Sequence, residues 1–184
     1  LLFVPILNVD GHERASAWSR MNQRGPEVQG WRTNARNLNI NRDYVKLDLP
    51  ETRGVVAVID DWSPDLYLDL HVTDGEDYQY DITYGWNGPH AYGPRTSGWL
   101  DETLRPALDR DLREYGHIPG PLVFAVDRLD IRRGIWNGTT GIRLSNGYGS
   151  VRALPTILVE NHSLKPFRQR VLGTRVLLES VLRI

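Results

Sequence analysis

The chain of 184 residues contains no cysteine, and that one absence removes much chemistry. Disulfide frameworks, thiolate zinc clusters, iron–sulfur clusters and cysteine nucleophiles are all excluded, so any metal must be held by His, Asp and Glu. The redox compartment stays open, because lack of Cys suits either side of a membrane. A surplus of one charge is missing too: 22 Lys plus Arg stand against 23 Asp plus Glu, a net charge of −1. Composition therefore gives no electrostatic reason to expect nucleic acid or an anionic membrane surface as partner. No run of about 18 apolar residues occurs, so no segment reads as a membrane-spanning helix. Repeats, low-complexity tracts and linker-like stretches are also absent. One domain over residues 1–184 is expected, large enough to bury a core without covalent staples.

The sequence lacks an initiator Met and opens on the apolar run Leu1-Leu2-Phe3-Val4-Pro5-Ile6-Leu7, which reads as a buried strand already under way. No positively charged leader with a small-residue cleavage site is present. The expectation is a piece of a longer domain whose N-terminal part is missing. In all, buried strands are predicted at Leu2–Leu7, Leu66–Val72, Leu122–Val126 and Thr156–Val159. Between them, Val55, Val58, Ile59 and Trp62 fall on one face of a helix over 51–62. Leu100, Leu104, Leu108 and Leu112 recur every fourth residue in a second helix, capped by Ser97 and ended by Gly116. A third spans 166–183, with Phe167, Val171, Val181 and Leu182 facing inward. Gly134–Gly138 and Ser145–Ser150 read as flexible loops, and neither carries a phosphate-binding fingerprint. Tyr78, Tyr80, Ile82, Tyr84 and Trp86 alternate as one strand face. Strands alternating with helices predict an α/β fold, a mixed but mostly parallel sheet covered on both faces, with ligands outside the strands' carboxyl ends.

Three places can carry chemistry. Glu160 leaves the apolar run Pro155-Thr156-Ile157-Leu158-Val159, where poor hydration raises a carboxyl pKa toward the range of a general base. A carboxylate satisfied by backbone or Arg is the competing reading. His71 closes Tyr67-Leu68-Asp69-Leu70-His71, and period-2 alternation aims Asp69 and His71 the same way. Asp69 would then orient the imidazole, either for a metal or as a buried pair without one. The segment Trp31-Arg32-Thr33-Asn34-Ala35-Arg36-Asn37-Leu38-Asn39-Ile40-Asn41-Arg42-Asp43-Tyr44 is too polar for a core. Guanidinium forks beside amides can clamp a carboxylate or steady an oxyanion, although a solvated loop tied by Asn side chains has the same composition.

Taken in order, these elements resemble the zinc carboxypeptidases, the metallocarboxypeptidase family. Asn8-Val9-Asp10-Gly11 is similar to that family's Asn-Pro-Asp-Gly, Trp31-Arg32 to its Trp-Arg, and Leu38 through Asp43 to its Asp-x-Asn-Arg-Asn segment. His71 falls where the family places its third zinc ligand, and Val159-Glu160 where it places its acid/base Glu. The resemblance implies a zinc-dependent exopeptidase acting on a peptide or protein C-terminus. Glu160 and Arg32 would be catalytic, Asn41 and Arg42 would grip the terminal carboxylate, and Arg143 would line the specificity pocket. It also makes a secreted or periplasmic location plausible.

The departures matter as much. The family's first two zinc ligands come from a His-x-x-Glu motif before the Asn-Pro-Asp-Gly turn. That motif is absent, and His12-Glu13 has the wrong spacing and follows the turn. The remaining two ligands are therefore expected upstream of Leu1, and these 184 residues alone are expected to be inactive. Asn39 stands where the family has Asp, and neither Trp136 nor Tyr148 matches its substrate-covering Tyr. Two other readings use the same residues. One is a metal-dependent deacylase of small acyl amino acids on this fold; the other is a metal-free domain that binds peptide C-termini.

Overall fold

The computed structural model describes residues 1–88, 90–127 and 129–184. In chain order the elements are α1 (Val9–Glu13), a 3-10 turn at Ile40–Arg42, α2 (Pro50–Trp62), β1 (Tyr67–Val72), β2 (Ile82–Gly85) and α3 (Pro94–Gly98). A π-helical stretch, Trp99–Leu104, joins α3 to α4 (Arg105–Glu114). Then come β3 (Pro119–Pro121), β4 (Phe124–Ala125), β5 (Ile135–Trp136), α5 (Ser145–Val151), β6 (Thr156–Asn161) and α6 (Phe167–Val181). Among the described residues no helix is long and apolar enough to cross a membrane.

Four strands form the main sheet in the order β1-β6-β2-β3, while β4 and β5 make a separate hairpin. β1 runs parallel to β6 and β2 parallel to β3; β6 and β2 are antiparallel. The sheet is therefore mixed and mostly parallel, with helices on both faces. One face holds Ile157 and Val159 of β6 in a core with Leu100, Leu104, Leu108, Leu112 and Leu177. The four leucines spaced at i+4 are fully buried, and each contributes about 2 kcal/mol of apolar burial. The opposite face carries Asp69, His71 and Glu160, covered by α5 and by the polar segment that begins at Trp31. Gly149 permits the α5 contact, because a Cβ there would collide with Thr156 Oγ1 on β6.

Several expectations change. Residues 1–7 form no strand and make no backbone hydrogen bond among the described residues, and Leu1, Phe3 and Val4 are exposed. An apolar run becomes a strand only where a neighbour takes up its N–H and C=O groups. The run Leu122–Val126 contributes only the short β4, since its backbone turns into the hairpin with β5. Ser145–Ser150, read as a loop, belongs to the helix α5, whose glycines let it lie close against β6 and the chain at Gly141. The second helix begins at Pro94 after Gly93 rather than at Ser97, whose hydroxyl instead donates to Tyr92 O at 3.3 Å. Gly116 does end it, at φ +82°. α6 turns Arg170, Gly173, Leu177 and Ser180 inward and leaves Phe167, Val171 and Leu182 exposed. Of the aromatic alternation only Ile82–Gly85 is strand; Tyr78 and Tyr80 lie before it with their rings against His162.

Candidate functional site

The parallel register of β1 and β6 sets Tyr67 beside Thr156, Asp69 beside Leu158 and His71 beside Glu160. Cα partners in adjacent strands project to the same face, about 4.8 Å apart in the hydrogen-bonding direction. The imidazole at 71 and the carboxylate at 160 are therefore neighbours, at the carboxyl ends of two parallel strands. Thr83, opposite Glu160 on β2, extends the row, and its hydroxyl donates to Glu160 O at 3.4 Å.

The imidazole is held from one side. His71 Nε2 lies 2.7 Å from Asp69 Oδ2 and 3.1 Å from Asn41 Nδ2. Asp69 also accepts from Ser145 Oγ, and Asn41 Oδ1 accepts the Ser145 amide at 2.7 Å. Burial works against charge on His71, but the Asp69 carboxylate outweighs it and lifts the imidazole to about 9. Asp69 answers in kind: burial would raise it, yet His71 and the Ser145 hydroxyl hold it below the usual carboxylate range. Nδ1 of His71 makes no hydrogen bond among the described residues. A ring fixed through one nitrogen by a carboxylate, with the other unengaged, has the form of a metal ligand.

Glu160 stands in the opposite condition. Burial foremost, then repulsion from Asp69 and Asp74, pushes it up to about 7, against the pull of His71 and Arg32. Its Oε2 is buried without a hydrogen-bond partner. A carboxyl group so placed exchanges a proton near neutral pH.

Arg32 is positioned by a chain of local contacts. Asn8 accepts from Gly11 N at 3.0 Å and donates to Trp31 O and Arg32 O. Trp31 N donates to Gly11 O at 2.6 Å, and Asp10 accepts the Ala35 amide at 3.1 Å. A Cβ on Gly11 would collide with Trp31 O. The Asn-x-Asp-Gly turn thus fixes the backbone that carries Arg32, whose guanidinium pairs with Asp74. Asn34, buried, accepts from Arg36 N and Leu38 N and donates to Glu51. Buried Asp43 accepts from Asp48 N and Leu49 N just before α2. Several polar residues of this segment therefore tie a loop, and that loop presents Asn41 and Arg42.

Arg42 Nη1 donates to Asn41 O at 2.5 Å, and the exposed Arg143 donates from Nε to Arg42 O at 3.2 Å. Asn41, Arg42, Arg143 and His71 thus come together on the Asp69 side of the row, and Arg32 lies on the Asp74 side. Trp136 stacks on Phe124 in the hairpin, and Tyr148 packs on Tyr44 with its hydroxyl bound by Arg152. Among the described residues neither is hydrogen-bonded to Asn41, His71 or Glu160.

Two groups escaped the sequence reading. Asp74 lies two residues beyond the end of β1, and Arg20 sits in an irregular loop. With Trp31, Arg32, Thr33 and Asn37 they line a cleft of about 440 Å³. Spacing carried no sign of either, because the cleft is built from loops without periodicity.

The fold has solved counterparts. A metallo-carboxypeptidase from Pseudomonas aeruginosa, in complex with (2-guanidinoethylmercapto)succinic acid, superimposes with a TM-score of 0.55 over 83% of this chain at 19% identity. A metallo-carboxypeptidase from Burkholderia cenocepacia gives 0.57 over 83% at 15% identity. This is the metallo-carboxypeptidase fold. The chain spans about two fifths of each of those structures, 41% and 40%. No protein-family profile and no curated protein sequence matches it. Metallo-carboxypeptidases imply a metal. Among the described residues no three His, Asp or Glu side chains are grouped to hold an ion. These residues fit one position of a metal site, His71 Nδ1, and do not complete it.

Proposed function

We propose that this chain is the C-terminal part of a zinc-dependent metallocarboxypeptidase domain that hydrolyses the C-terminal peptide bond of a peptide or protein. The observation that carries the reading is the pairing of His71 with Glu160 in register at the sheet's carboxyl edge, with Arg32 close enough for its charge to act on both. His71 would supply one zinc ligand through Nδ1, and two more would come from residues upstream of Leu1. Zinc, when bound, polarises a carbonyl and acidifies water.

The chain's own residues have separate tasks. Arg42, aided by Asn41, grips the substrate's terminal carboxylate and thereby fixes which peptide bond reaches Glu160; a guanidinium suits that planar anion. Asn41 has a second task, since its amide donates to Asp69 beside His71 and accepts from the start of α5. Arg143, beside Arg42, adds positive charge where the terminal side chain enters. Glu160 takes a proton from the attacking water and returns it to the leaving amine, as its pKa near neutrality allows. Arg32 offsets charge developing on the carbonyl oxygen, a role worth about 3 kcal/mol in comparable sites. Asp69 and Ser145 hold the imidazole still.

The test is an assay of the complete protein against peptides with free and amidated C-termini and against small N-acyl amino acids. Release of the last residue from free peptides alone, abolished by chelator and restored by zinc, supports the reading. Hydrolysis confined to acyl amino acids points instead to a deacylase. Peptide binding that survives chelation, with no turnover, points to a binding domain.

A further inference from the structure

The cleft past Glu160 is charged in a way that the proposed peptidase roles leave unused. Along β1 the order is Asp69, His71 and then, beyond the strand, Asp74. Asn41, Ser145 and Arg143 cluster at the Asp69 end. Arg32 and Arg20 stand at the Asp74 end. If the substrate's terminal carboxylate occupies the first end and its scissile bond lies at Glu160, the acyl part of the peptide runs into the second.

That cleft holds two guanidinium groups against one carboxylate. Arg32 takes Asp74 as its partner. Arg20 makes no salt bridge among the described residues; with the Gln23 amide turned so that its oxygen faces the guanidinium, Nη2 and Nε donate to that oxygen at 2.6 and 3.1 Å. Burial and the neighbouring Arg32 make its charge costly, while Asp74 and Glu160 are near enough to relieve it in part. An incoming carboxylate would match the surplus guanidinium. The loop bearing Arg20 is fastened, since Ser16 and Gln29 bridge across it and Arg24 N donates to Ser163 O at 2.8 Å. The buried Arg170 of α6 also donates to Arg24 O at 3.0 Å and to Gly25 O. Arg20 is therefore presented by an anchored support.

From this cleft we infer that Arg20 is a specificity-determining residue that selects substrates with an acidic side chain on the acyl side of the scissile bond. The inference rests on the peptidase reading for the direction in which substrate lies.

The test compares acetyl-Ala-Glu-Phe with acetyl-Ala-Gln-Phe, which differ in charge and hardly in shape, on the complete protein, its Arg20→Gln variant and its Arg20→Lys variant. The wild type should favour the Glu peptide about tenfold in kcat/KM, as expected for one charge-assisted contact in a partly open cleft. The ratio should fall to within twofold in R20Q and largely persist in R20K, which separates lost charge from lost folding. Equal rates in the wild type, or an undiminished ratio in R20Q, overturn the inference. If neither peptide is hydrolysed, the peptidase reading fails, and calorimetric Kd values for the same peptides decide the role of Arg20. A tenfold preference that R20Q abolishes sustains it, and equal or undetectable binding refutes it.

Discussion

At the scale of single residues, the site separates into groups held rigid and groups left open. Asp69 and Asn41 lie at one nitrogen of His71 and Ser145 bonds both of them, whereas Glu160 Oε2 is buried without a partner among the described residues. A protein that leaves a buried polar atom unsatisfied gives up about 1–3 kcal/mol for it, a cost consistent with the proton-accepting role proposed for Glu160. The carboxylate grip makes its own prediction. Arg42→Ala on the complete protein should raise KM for free-C-terminal peptides by about 10- to 100-fold in steady-state kinetics and weaken their calorimetric Kd likewise, while the Kd of the same peptides amidated stays unchanged. Equal losses on both substrates would assign the carboxylate to another residue. His71 and Glu160 were legible because each ends an apolar run, where an ionisable group is conspicuous. The Asp69 pairing followed from strand alternation. Arg20 and Asp74 were not legible, since they meet through loops that no periodicity describes.

At the scale of elements, the inward face of α6 shows where pattern reading fails. Its buried positions include Arg170, Gly173 and Ser180. Ser180 Oγ donates to the buried Asp111 Oδ2 at 2.6 Å, and Thr174 Oγ1 accepts from Asn161 at 2.9 Å. Hydrophobicity alone placed Phe167 and Val171 inside, because it cannot credit a polar face whose partners lie on other elements. The even stripe of leucines preceding Gly116 succeeded for the converse reason: its partners are apolar throughout. Arg170→Ala should cost about 2–3 kcal/mol in urea unfolding, since the backbone carbonyls of Arg24, Gly25 and Lys165 lose a charged donor. An effect under 0.5 kcal/mol would show that the loop is held otherwise. Gly149→Ala should also destabilise by about 2 kcal/mol, by driving α5 off Thr156. A neutral result there would mean that α5 does not pack as described.

At the scale of the whole molecule, stability is tied to pH through His162. It is fully buried, lies against Tyr78 and Tyr80, and has Nδ1 unpaired. Burial and nearby Lys165 lower its pKa from 6.5 to about 4. The folded state therefore binds this proton less readily than the unfolded chain. Its contribution is complete above pH 6.5 and is lost as pH falls toward 4, about 3 kcal/mol in all. Comparing wild type with His162→Gln by urea unfolding cancels the other titrating groups. The stability difference should shift by about 2 kcal/mol between pH 7 and pH 5, in the direction that penalises the wild type at low pH. Parallel profiles would show that the imidazole is hydrated. The α/β class was legible from alternating strands and helices. The irregular path of residues 1–7 was not, because strand formation depends on a neighbour that the run's own sequence does not name.

Turnover by Glu160→Gln in the complete protein tests directly whether Glu160 acts beside His71. We expect kcat to fall by at least 100-fold while Kd for a free-C-terminal peptide stays within about threefold of wild type. A variant that still turns over at a near-normal rate would contradict the role of Glu160 and the function built on it.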